Sequence, residues 1–174
     1  MKIIDLSWIL KDWIEYYPWD PKTEIKNVET IEQSWWNMKR LKINSHDWTH
    51  VNVPIHSKIL WKTLDDYNIN DFIWKSVLYK NLDDIKNWIG LIFDDIDISF
   101  GIAEKIVKIK PKFVWLSDKF EFNIEVEKYL LENDIISFER LINTDKLPKN
   151  FIFHWAPLKI EKWDGSPIRA YAII

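Results

Sequence analysis

Apolar and polar residues alternate with a period of two through much of the first half of the chain. Lys2–Leu6, Thr23–Glu29, Met38–Asn44, Lys75–Lys80 and Ile89–Phe93 read as strands on that ground. Tyr16-Tyr17-Pro18-Trp19-Asp20-Pro21 is turn chemistry with two prolines, and Thr63-Leu64-Asp65-Asp66 reads as a capped helical turn. In the second half the period changes. Ile102–Ile109 and Ile124–Glu132 read as helices, the second with Asn123 as its N-cap. They alternate with strands at Phe113–Leu116 and Ile135–Phe138, and Phe151–His154 and Ile168–Ile174 close the chain as strands. A turn at Trp163-Asp164-Gly165-Ser166-Pro167 precedes the last of them. A β-rich half followed by a βαβαβ-like half predicts a mixed α/β fold, with residues 1–174 as one domain.

Composition narrows the function classes. Hydrophobic content of 47% and charged content of 29% describe a globular chain. A formal net charge of -3 with both signs interspersed gives no general reason to bind nucleic acid or an acidic membrane. The absence of cysteine excludes disulfides, thiolate metal sites and a cysteine nucleophile. No apolar run approaches the ~18 residues of a spanning helix. Met1–Lys11 carries Asp5 in its short apolar stretch and lacks a small-residue cleavage site. The expectation is a soluble, cytoplasmic protein.

Three of the four histidines, His46, His50 and His56, fall within eleven residues. In extended chain, positions 46, 50, 52 and 56 share a face, which groups three imidazoles with the Asn52 carboxamide. Such a group suits a divalent metal and a proton shuttle; the plainer reading is a polar strand face. Glu127 falls on the apolar arc of its helix, with Ile124, Val126, Leu130 and Leu131, where a carboxylate needs a partner or a metal. Glu139 alternates onto the face of Ile135 and Ser137.

The run His46-Asp47-Trp48-Thr49-His50-Val51-Asn52-Val53-Pro54-Ile55-His56 resembles the H-x-G-T-H-x-D-x-P-x-H motif of the cyclase family, metal-dependent hydrolases that include bacterial kynurenine formamidase and isatin hydrolase. Asp5-Leu6-Ser7, Tyr17–Pro21, Lys62–Tyr67, Pro157-Leu158-Lys159 and Asp164–Ala170 resemble further landmarks of that family. The resemblance implies a swivelling β/β/α domain. It implies metal ligation by His46, His50, Asn52, Glu127 and Glu139, with His56 handling protons. Asn52 stands where the family has an aspartate and Glu127 where it has a histidine, which favours one zinc or manganese ion over two. The implied reaction is hydrolysis of a small amide or formamide of the N-formylkynurenine type, by a homodimer or homotetramer. The alternative is a family member without activity, kept for ligand binding or structure.

Glycine and tryptophan then enter together. At about 7% usage the chain would hold roughly 12 glycines; it holds 3, beside 12 tryptophans. Trp13, Trp19, Trp35, Trp48, Trp61, Trp74 and Trp163 stand where the family pattern reads glycine, and Trp8, Trp115 and Trp155 are further candidates. A UGA codon read as glycine in the cell but written as tryptophan produces this pattern. A genuinely aromatic protein is the other reading. Trp48 is the position expected to fill the pocket.

Overall fold

The computed structural model describes residues 1–12, 20–79 and 89–174. Among the described residues ten strands and three α-helices follow in order: β1 (Ile3–Asp5), β2 (Glu24–Glu29), α1 (Ile31–Ser34), β3 (Met38–Lys42), β4 (His50–Asn52), β5 (Ile73–Leu78), β6 (Gly90–Phe93), α2 (Phe100–Ile109), β7 (Phe113–Ser117), α3 (Ile124–Glu132), β8 (Ile136–Leu141), β9 (Asn150–Pro157) and β10 (Gly165–Ile173). Four parallel strands, β5 to β8, form the βαβαβ half, with α2 and α3 as crossovers. β9 and β10 close it. β10 pairs with β4 through Gly165–Pro167 and with β9 through Ile168–Ile173, so seven strands join into a barrel-like sheet. β1 lies on the outer part of β10, and β2 with β3 forms a separate two-stranded ribbon.

The central strands are buried on both faces, as parallel strands under helices must be. Along β6 and β7 the side chains sort by parity. Ile92, Phe113 and Trp115 enter the barrel interior with Phe138, Phe153 and Trp155. Leu91, Phe93, Val114 and Leu116 face α2 and α3 and pack on Ala103, Ile106, Val126 and Leu130. Glycine at position 90 is required by this packing, since a Cβ there would lie 2.2 Å from the Phe113 ring.

The mixed α/β expectation and the order of elements match the structure, and Asn123 caps α3 through a hydrogen bond from the Glu125 amide. Several details differ. The strand expected at Lys75–Lys80 starts at Ile73, and Lys80 lies outside the described residues. So do 13–19, and with them Trp13, Trp19 and most of the two-proline turn. Gly165, Ser166 and Pro167 belong to β10, because the backbone there is already laddered to Asn52, Val51 and His50; the turn falls at 161–162. Ile124 is exposed, leaving Val126, Leu130 and Leu131 as the buried face of α3. Among the described residues no helix is long and apolar enough to cross a membrane.

The tryptophans sit badly in this frame. Trp35 and Trp48 take φ of 71° and 52°. That left-handed region costs an L-residue roughly 1–2 kcal/mol and suits glycine. The indole N–H groups of Trp48, Trp115 and Trp155 are buried without a hydrogen-bond partner. Each such orphan costs about 1–3 kcal/mol.

Candidate metal centre

Six segments deliver the site. His50 and Asn52 lie on β4 directly opposite Glu139 and Ser137 of β8, as cross-strand neighbours. Glu127 comes from α3, which packs on β8 and on the 3-10 helix Pro54–His56 that carries His56. His46 comes from the turn before β4. Asp47 holds that turn by accepting from the Asn44 amide at 2.8 Å and the Thr23 hydroxyl at 2.5 Å. Asp164 precedes β10, and its carbonyl accepts from the Val53 amide at 3.0 Å.

Positions 46 to 56 are therefore not one extended run with a shared face, as alternation predicts. Only His50–Asn52 is strand; a turn brings in His46 and Pro54 starts the helix that brings in His56. The imidazoles still meet, with ring centroids 5.3 Å apart for His46–His50 and 4.0 Å for His46–His56. The Trp48 ring packs on Trp8 at 4.9 Å, and its carbonyl accepts from His50 Nδ1 at 2.6 Å.

The inner half of the site is a hydrogen-bonded net. Asn52 Nδ2 donates to Glu127 Oε1 at 2.6 Å and to Glu139 Oε1 at 3.0 Å. Ser137 donates to Glu127 at 2.5 Å, and His50 Nε2 stands 3.3 Å from Glu139. The two residues that depart from the motif thus touch each other. Asn52 is the neutral donor of this pair and Glu127 its acceptor. The outer half is His46, His56 and Asp164. Asp164 Oδ2 lies 2.9 Å from His46 Nε2 and 3.3 Å from His56 Nδ1. One ligand atom from each of the three lies within 4.8 Å of the others. Two imidazoles and a carboxylate form a donor set that fits zinc or manganese.

Electrostatics separate the two glutamates. Burial and then the Glu139 charge push the Glu127 carboxyl above its ordinary value, against the hydrogen bonds from Ser137 and Asn52. For Glu139 burial is outweighed by His50, and its carboxyl is held down. His50 and His56 are both raised, burial being overcome by Glu139 for the first and by Asp164 and Glu127 for the second. Asp164 is held far below the carboxylate range by His46 and His56.

One pH prediction follows from Glu127. A carboxyl raised on folding destabilises the fold increasingly as pH climbs above its unfolded value, near 4.5. In chelated protein Glu127→Gln is expected to stabilise at pH 7 and to be neutral near pH 4. Equal effects at both pH values in urea melts would contradict this.

Asp164 and Ser137 are the site members that motif reasoning did not assign. The usable signal for Asp164 was a carboxylate beside one of only three glycines; Ser137 had only its phase with Glu139.

Comparison with solved structures decides the fold. An isatin hydrolase bound to the product analogue thioisatinate superposes with a TM-score of 0.83 at 18% identity, covering 99% of this chain and 92% of that one. The chain has the cyclase-family fold. A potential metal-dependent hydrolase with cyclase activity gives 0.80 at 18% identity, covering 98% of this chain and 96% of the other. A predicted metal-dependent hydrolase from Bacillus stearothermophilus gives 0.77 at 17%, covering 98% and 97%. In sequence, an uncharacterized protein of Methanocaldococcus jannaschii is 29% identical over 206 aligned positions spanning both chains entirely. No protein-family model matches.

Proposed function

We propose that the chain is a metal-dependent hydrolase of a small amide, with aryl formamides of the N-formylkynurenine type as the favoured substrates. The observation that carries this reading is the convergence of three imidazoles and three carboxylates from six segments onto one site. A divalent cation held there supplies a Lewis acid for the carbonyl and a lowered pKa for the attacking water. Hydrolysis adds hydroxide to the carbonyl carbon, breaks the C–N bond and sends a proton to the departing nitrogen. Glu127, whose carboxyl feels the charge of His56, handles this proton. Glu139 orients the His50 imidazole, and Ser137 and Asn52 hold Glu127.

A second reading has one observation in its favour. Asn52 already satisfies both buried glutamates, as expected of a member that binds ligand without turnover. Assaying an aryl formamide, a cyclic amide and an ester with zinc- and manganese-loaded protein separates the two. Formamide turnover above that of the other substrates supports the proposal. Binding without turnover of any of them supports the second reading.

A further inference from the structure

We propose that the cation is held in the outer half of the site, by His46 Nε2, His56 Nδ1 and Asp164 Oδ2, with Asn52 as a positioning residue and not a ligand. This rests on the hydrolase reading above. Donors and acceptors decide the matter. Asn52 Nδ2 lies on Glu139, whose carboxylate only accepts, as well as on Glu127. The amide orientation is thereby fixed, and its oxygen faces His46 Nδ1 at 2.6 Å. A carbonyl oxygen also only accepts, so Nδ1 carries the hydrogen and is no ligand atom. The lone pair left to His46 is on Nε2, which points at Asp164 and the His56 side. An imidazole that binds metal through one nitrogen and donates its other N–H to an oxygen is the usual orienting arrangement.

The backbone is built for this approach. Leu64 N–H donates to the Trp163 carbonyl and Val53 N–H to that of Asp164, which pins the carboxylate between the two histidines. A Cβ at Gly165 would lie 2.6 Å from the Val51 carbonyl and 2.8 Å from His46 Cε1, so only glycine lets the strand and the imidazole sit this close. Two nitrogens and one oxygen with an open position form the donor pattern of a catalytic zinc. With His56 a ligand, proton delivery falls to Glu127.

Metal content after loading and gel filtration, with the visible spectrum of the cobalt form, tests the assignment. The unmodified chain is expected to hold about one equivalent, and Glu127→Gln to keep both stoichiometry and spectrum. Asp164→Asn is expected to bind about 10–100-fold more weakly, and Asp164→Glu to recover part of the loss, which separates a lost ligand from a lost fold. Loss of the cation in Glu127→Gln with retention in Asp164→Asn would overturn the outer site and leave the hydrolase reading intact. An unmodified chain that takes up no cation would overturn the hydrolase reading itself.

Independently, we infer that the cell makes this protein with glycine at positions 35, 48, 115 and 155. Trp35 and Trp48 occupy backbone that favours glycine, and Trp48, Trp115 and Trp155 bury unpartnered indole N–H groups. The same four positions account for every buried indole orphan among the described residues and for both tryptophans with positive φ. Intact-mass spectrometry of the protein from its own cells is expected to fall short of the mass written here by a whole number of Trp-to-Gly differences. The coding sequence is expected to read TGA at these positions. A full tryptophan mass, or TGG codons, would overturn the inference.

Discussion

Glu127→Gln is expected to lower kcat for amide hydrolysis by about 10²–10⁴-fold, the usual worth of a positioned proton-transfer group. KM is expected to change little, because the amide oxygen of glutamine can still accept from Asn52 and Ser137 as Glu127 does. The same substitution is expected to keep the cation and to stabilise chelated protein at neutral pH, which separates a lost proton-transfer group from a lost fold. A variant with ordinary kcat would show that Glu127 handles no proton in the reaction.

The largest expected effect on stability belongs to a neighbour of the site. Phe138 stands between Ser137 and Glu139 on β8, so strand alternation sends it into the barrel as they turn to the metal centre. It is fully buried, with ring centroids 5.2 Å from Phe113 and 5.2 Å from Phe153. Phe138→Ala is expected to cost roughly 3–5 kcal/mol in urea unfolding. That is a large share of the 5–15 kcal/mol typical of a whole domain, about which the chain must balance. A loss under about 1 kcal/mol would mean that the barrel interior collapses around the missing ring.

How far the sequence could be read depended on where each signal resides. Helix α3 was readable to both ends, because its cap and its buried stripe are local features. β10 was misplaced at its start. Gly165-Ser166-Pro167 carries turn chemistry, and only the ladder to β4, more than a hundred residues earlier, makes it strand. The histidines were found by spacing, yet the extended chain invoked to join them is three residues long. Their meeting depends on the Asp47-held turn and on Pro54, features that a two-residue period does not encode. Asp164 was the costliest omission. It reaches His46 across 118 residues of sequence, and no local pattern records such a contact.

The pairing of positions 52 and 127 has the same origin. Read along the chain, Asn52 and Glu127 are two separate departures from a motif. In the fold they share a 2.6 Å hydrogen bond. Asn52 and Glu127 therefore act as one hydrogen-bonded pair, which reading along the chain cannot show.

The most direct measurement of the hydrolase reading is turnover of an aryl formamide before chelation, after chelation, and after return of zinc or manganese. Hydrolysis is expected to be abolished by removing the cation and restored by about one equivalent of it. Turnover that persists in fully chelated protein, or none in metal-loaded protein, would contradict that reading.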